Sequence, residues 1–403
     1  MAELHPFRAL RPTPAAAAKV AAVPYDVVNA EEARALAGDN TLSFLHVSRA
    51  EIGLPADTNP YGDNVYAAAA ANFERLKREA PLVVEETPSL YVYRLRMGSH
   101  EQTGIAGTFS VDEYDRDIIK KHERTRRDKE DDRTRHITEL RAQTGPVFLT
   151  HTPSADVDAI VRKTTMKAPL FDLTAVDTIQ HTIWRVDDAD VPALVAAYAK
   201  IPALYIADGH HRAASAARAR DAVGKGKPGE WDTFLAVAFP ENQMQVLPYN
   251  RVVKDLASYT PQTLLAKIRE QFTVVEGPPA PSRRGEVAMY LADQWYTIDL
   301  GQAPTALPAD ERLDVSRLEA TILKPLLGIG DVRSDKRIDF VGGARGTAEL
   351  ERLVNSGKFA VAFSMYPVSV KDLMEISDAG GIMPPKSTWF EPKLRDGLLS
   401  HLI

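Results

Sequence analysis

The stretch IADGHHRAASAARAR, residues 206–220, sets an acid, a glycine, two adjacent histidines and an arginine between an apolar run and an alanine-rich run. Ile201, Ala203, Leu204, Tyr205, Ile206 and Ala207 predict a buried strand, and the alanines with interspersed arginines that follow predict a helix. The polar cluster then falls on the strand-to-helix junction. N–H groups in the first turn of a helix have no partner inside it and their dipoles point outward, so this junction suits an anion, most naturally a phosphate.

Working outward, the same alternation continues on both sides. GPVFLTH (145–151) and FLAVAF (234–239) read as strands, so the middle of the chain has an α/β pattern. Before it, EEARALAGD (31–39) predicts a helix ending at Gly38, LSFLHVSR (42–49) a strand, and NVYAAAAANFERLKREA (64–80) a long helix. SLYVYRLRM (89–97) and GIAGTFSV (104–111) predict two strands able to pair. After it, PQTLLAKIREQF (261–272) reads as a helix, and EVAMYLAD (286–293) with WYTIDL (295–300) as a hairpin-like pair. Three helices and two strands complete the tail. The fold expected is mixed α/β (α+β) in three regions, residues 1–111, 112–255 and 256–403.

Composition narrows the chemistry. The 403 residues carry a formal net charge of -6 with no cysteine, which excludes disulfides, thiolate metal sites and a cysteine nucleophile. The acidic balance argues against a general nucleic-acid binder. The apolar runs are shorter than the ~18 residues of a membrane helix, and the N-terminus does not read as a secretory leader. A cytoplasmic protein acting on small molecules, with no nucleic-acid or membrane partner, is expected.

Two constellations could carry reactions. In the first, Gly209 lets the backbone approach a ligand, Asp208 can cap the helix or bind magnesium, and His210, His211 and Arg212 supply donors to the same turn. Arg212 is expected to project toward ligand and not into the core. Zinc is a weaker reading, because adjacent helical histidines point about 100° apart whereas chelating pairs sit at i, i+4. The second constellation lies within residues 112–141, where ten acidic and ten basic residues fall in thirty positions. Residues 118–141 read in part as a solvated helix with i, i+4 pairs such as Glu123–Arg127 and Asp131–Arg135. Lys121, His122, Glu123 and Arg124 fit that account less well, since they follow Ile118 and Ile119. A carboxylate beside cations is a candidate general base, and Lys121 or Arg124 a phosphate contact. Elsewhere, Ser48 and Arg49 are candidate substrate contacts, Asp26 is a second candidate base, and Lys386 in MPPKSTWFEPK (383–393) could reach a pocket. The prolines before Lys386 exclude a P-loop.

Taken together, FRALRP and PYDVV near the start, HERT (122–125), IADGHHR (206–212), DFVGGARG (339–346) and MPPKSTWFEPKLRDGL (383–398) resemble a widespread family filed as a conserved domain of unknown function. The central motif is similar to the phosphate-binding box of the ParB/sulfiredoxin superfamily, which includes SerK-type free serine kinases. That resemblance implies a ParB/sulfiredoxin-like core with large N- and C-terminal additions. It implies phosphoryl transfer between free serine or O-phosphoserine and a nucleotide, ATP or ADP, with Mg²⁺. Carried over by residue, Asp208, Gly209, His210, His211 and Arg212 would grip the phosphate and its magnesium, with Asp208 as the metal ligand, and Glu123 would be the base. A metal-dependent phosphoserine phosphatase and a non-catalytic nucleotide-switched ParB-like binding module are the alternatives.

Overall fold

The computed structural model describes residues 2–80 and 82–403. It forms two compact units, one running to Met244 and completed by Pro392–Ile403, the other comprising Gln245–Glu391. Both mix helix and sheet, as expected. The boundary expected after residue 111 is not one. His100–Ser110 and Thr233–Pro240 pair antiparallel over six residues, so one sheet spans both of the first two expected regions. The second unit begins at Gln245, ahead of the expected residue 256, because Gln245–Leu247 already pairs with Trp389–Glu391 inside it.

The first unit is built on a nine-stranded mixed sheet. Leu204–Asp208 is a nearly fully buried strand that pairs antiparallel with Val147–His151 and parallel with the short strand Ile119–Lys120. Parallel pairing makes Ile119–Lys120 and Leu204–Asp208 end on the same edge of the sheet, as ligand-bearing strand ends do in other α/β sheets. Val147–His151 runs the opposite way, so its start reaches that edge too. Leu149, Leu204, Ile206, Ala213, Ala216 and Ala238 belong to one buried core under the helix His210–Gly224. The alanines of that helix leave room for close packing on its neighbours.

Residues 118–141 do not form one helix. Ile119 is drawn into the sheet and fully buried, and the helix starts only at Arg127 and ends at Leu140. Glu123 and Arg127 therefore are not on one helical face. Asp131 pairs with Arg218 of the neighbouring helix, and Arg135 with Asp63 and Glu139. LSFLHVSR also departs from its expected strand: Leu45–Ser48 is a short helix. Phe44, Leu45 and Val47 are all buried, and Phe44 meets Phe73 edge-on at 6.2 Å between centroids. Packing against the helix Asp63–Glu79 outweighs the local strand preference.

The C-terminal segment closes this unit. Ser400–Leu402 inserts between Ala9–Arg11 and Ala142–Gln143, and before it the Asp396 N–H donates to the Ala22 carbonyl at 2.9 Å. Gly397 makes the turn at φ +84°, and a Cβ there would lie 2.6 Å from the Phe44 ring. The second unit is a six-stranded antiparallel sheet that includes the expected hairpin, Glu286–Leu291 with Gln294–Asp299. Gly397→Ala is expected to cost about 1–3 kcal/mol through overpacking, beyond the backbone strain shared by Gly98→Ala. Gly98 has φ +59° and nothing within 4 Å. Urea denaturation of both variants separates the two contributions.

Candidate active site

The strand Leu204–Asp208 ends in Gly209, which adopts the left-handed conformation at φ 91° and caps the helix His210–Gly224. A Cβ on Gly209 would lie 2.9 Å from Arg212 Nε, so the turn and the arginine packed over it both require glycine. Asp208 is anchored from two sides. Its Oδ2 accepts from Lys393 Nζ at 3.2 Å and from Arg212 at 3.4 Å. Burial alone would raise the Asp208 carboxyl, but Lys393 and Arg212 outweigh it and hold this group well below the usual carboxylate range.

Arg212 is 8% exposed. Its guanidinium donates to the Pro146 carbonyl and lies 3.8 Å from Asp26. The expectation that it projects toward ligand is corrected by this placement, because the side chain is buried among Pro146, Asp26 and Asp208, with Nε buried and unpartnered among the described residues. The arrangement also tests magnesium at Asp208. Its Oδ2 already faces two cations, and Mg²⁺ demands a near-octahedral shell of oxygen donors. Through Oδ2, Asp208 serves as the anchor for the two cations, and that oxygen does not fit the role of a magnesium ligand.

HERT and ADGHHR are brought together at the shared sheet edge. The His122 and His210 rings meet edge-on at 4.4 Å between centroids, and the His122 N–H points at His210 Nε2 at 3.5 Å. His211 Nε2 accepts from the Arg126 N–H at 3.0 Å, tying the 121–126 loop to the helix start. Glu123 is half-buried on that loop, and one ligand atom each from His122, Glu123 and His210 lies within 4.8 Å of the other two. Burial pushes His122 down to about 4 against a backbone hydrogen bond from Ile206. Burial, with His122 next, holds His210 well below the ordinary imidazole value. Both rings are neutral at pH 7.

The remaining expected residues make other contacts. Lys121 Nζ donates to the Tyr114 carbonyl at 2.8 Å and pairs with Asp117 at 3.3 Å. Arg124 is exposed on the same loop. Arg49 donates to the Val28 carbonyl at 2.8 Å and pairs with Glu51 at 3.3 Å, so its fork is occupied internally. Ser48 is buried and donates to the Phe44 carbonyl at 3.4 Å. Lys386 belongs to the second unit, where its amino group lies over the Tyr249 ring at 5.5 Å.

The family described as "Protein of unknown function (DUF1015)" matches residues 4–316. The chain belongs to this family. No curated relative matches it. Among solved structures, a free serine kinase in complex with AMP is similar with a TM-score of 0.37 and 13% identity, over 73% of this chain and 91% of that one. SbnI with C-terminal truncation from Staphylococcus aureus is similar with a TM-score of 0.40 and 13% identity, over 74% and 87%. A conserved hypothetical protein from Pyrococcus furiosus has a TM-score of 0.37 and 15% identity, over 74% and 95%. At these values no residue role passes from those proteins to this chain.

Sequence reasoning missed Lys393, Asp396 and Arg133, although KLRDGL and the charged helix were both in view. Asp396 lines a cavity of about 30 Å³ with Tyr25, Ser48, Arg133 and Arg212, space for roughly two waters. Arg133 is bound to Asp132 at 2.9 Å and stacks on the Tyr25 ring at 4.1 Å. Asp396 Oδ1 is buried without a hydrogen-bond partner among the described residues. Burial raises its carboxyl to about 7, Asp26 adds to the rise, and Arg212 opposes it.

Two expectations follow from these charges. Removing Arg212 leaves the half-buried Asp208 carboxylate to Lys393 alone and the Pro146 carbonyl without its donor, so Arg212→Ala should cost about 1–3 kcal/mol of stability, read by denaturant unfolding. For Asp396 the sign is opposite to that of an ordinary paired carboxylate. From 3.8 up to about 7 the unfolded chain ionises this group while the folded one keeps its proton, so its contribution to stability falls as pH rises through that window. Asp396→Asn should therefore raise the melting temperature over the parent at about pH 8 and leave it nearly unchanged at about pH 4.

Proposed function

We propose that this protein transfers a phosphoryl group between a nucleotide, ATP or ADP, and free serine or O-phosphoserine. The reading is supported chiefly by one observation: the HERT loop and the Gly209-capped helix start meet at one sheet edge, with His122 and His210 in ring contact. That edge combines the parts phosphoryl transfer needs, which are mostly positioning and charge. First-turn N–H groups of the 15-residue helix His210–Gly224 supply anion donors. Asp208 holds Lys393 and Arg212 beside them, so positive charge is fixed in place before a phosphate arrives. His210 and His211 flank the same turn. The choice of serine comes from the resemblance of the ADGHHR motif to that of SerK-type free serine kinases.

In this mechanism the phosphate sits on the Gly209–His211 turn, with the Lys393 and Arg212 cations offsetting its charge. The acceptor hydroxyl lies toward the 121–126 loop, and Glu123 takes its proton as the oxygen attacks phosphorus. The reverse reaction returns the proton from Glu123 to the serine oxygen and passes the phosphoryl group to the nucleoside diphosphate or monophosphate.

The test is incubation of the full chain with serine and ATP or ADP, and of phosphoserine with ADP or AMP, scored by mass spectrometry. Phosphoserine formation or its nucleotide-dependent consumption is expected. Glu123→Gln should lower turnover roughly 10²–10⁴-fold and leave nucleotide affinity within a few-fold. Release of inorganic phosphate from phosphoserine without nucleotide would replace this reading with a phosphatase, and no turnover in either direction would sink it.

A further inference from the structure

We infer that His122, Glu123 and His210 form a binding site for a divalent first-row transition ion such as Zn²⁺, Fe²⁺ or Co²⁺. One ligand atom from each of the three side chains lies within 4.8 Å of the other two. Ligand atoms about 2.0–2.2 Å from a shared ion sit roughly 3–3.5 Å apart, so small side-chain rotations complete the set. His122 and His210 are 2% and 5% exposed, which makes this a built site and not a surface cluster.

The second observation is a nitrogen without a partner. His122 Nδ1 is buried and makes no hydrogen bond among the described residues, while the ring hydrogen-bonds the Ile206 backbone. With Nδ1 unpartnered, that bond falls to Nε2. Metal-binding histidines are held in this way, one ring nitrogen on a backbone carbonyl and the other on the ion. Among the described residues the hydrogen bond recorded for His210 Nε2 is the contact from the His122 N–H at 3.5 Å, long for an N–H···N bond and easily exchanged for an ion. An unsatisfied buried donor or acceptor costs roughly 1–3 kcal/mol, and occupancy by a metal removes that cost at Nδ1.

Donor chemistry selects the ion. Two imidazoles and one carboxylate favor Zn²⁺, Fe²⁺ and their neighbors over Mg²⁺, which takes oxygen donors. Three protein ligands leave coordination positions open. What the ion does there rests on the phosphotransfer reading above: an open position takes an oxygen of the phosphate or of the acceptor hydroxyl. One Glu123 oxygen binds the ion, and the second accepts the hydroxyl proton. The site itself rests on geometry alone. Adjacent His210 and His211 are poorly placed to chelate together, and in this site the second imidazole comes from His122, 88 positions earlier.

The experiment is titration of the chelator-stripped full chain with Co²⁺ in the absence of nucleotide and serine. One equivalent with a visible spectrum of nitrogen-containing, four- or five-coordinate cobalt is expected, together with a rise in melting temperature on binding. His122→Gln and Glu123→Gln should each weaken binding at least 10-fold, with folding checked by circular dichroism. An aqua-like octahedral spectrum, or equal affinity in both folded variants, overturns the site. If either variant fails to fold, the spectrum and stoichiometry of the parent decide. Cobalt binding without any serine turnover would leave this site standing and sink the phosphotransfer reading, whereas turnover supported by Mg²⁺ with no cobalt binding does the reverse.

Discussion

The first unit is organised around Asp208 and the two cations that hold it. This carboxylate ends the central strand, Lys393 comes from the C-terminal segment and Arg212 from the first turn of the helix. One half-buried anion therefore joins three separate parts of the chain. Burying any of these charges alone is costly, and the three are tolerable only together. Gly209 makes the arrangement possible, since only a residue without a side chain fits beneath Arg212 at that positive φ.

The sheet edge inherits its chemistry from that anchor. Arg212 and Lys393 are oriented by Asp208, so under the proposed function they do not have to be ordered when a phosphate arrives, which lowers the cost of binding. The parallel pairing of Ile119–Lys120 with Leu204–Tyr205 is only two residues long, yet it decides where His122 and Glu123 emerge. Arg126 and His211 then secure the loop. A fixed loop facing a fixed helix start is the kind of preorganisation that group transfer requires.

The charges around Asp396 have a different character. Four acids, Asp26, Asp132, Asp208 and Asp396, share two buried arginines, Arg133 and Arg212, and Lys393. Within this cluster Asp396, whose Oδ1 is buried and unpartnered among the described residues, has its carboxyl pushed up to about 7. A small cavity lies beside it.

Much of this protein was legible in the chain alone. The apolar run into Asp208 and the alanine-rich run after Gly209 determined a strand, a tight turn and a helix, because local periodicity and backbone freedom act over a few residues. The hairpins and the long helix Asp63–Glu79 follow from the same short-range rules. What the chain could not reveal depends on distant partners. Ile119 became a strand because Leu204 was there to pair with it, and LSFLHVSR became helical because Phe73 covered Phe44. Arg212 looked like a ligand-facing cation until Asp26, Asp208 and Pro146 were placed around it. Lys393 and Asp396 lie about 185 positions from Asp208 and Arg212, and burial, which sets their charge states, exists only once the sheet has closed over them.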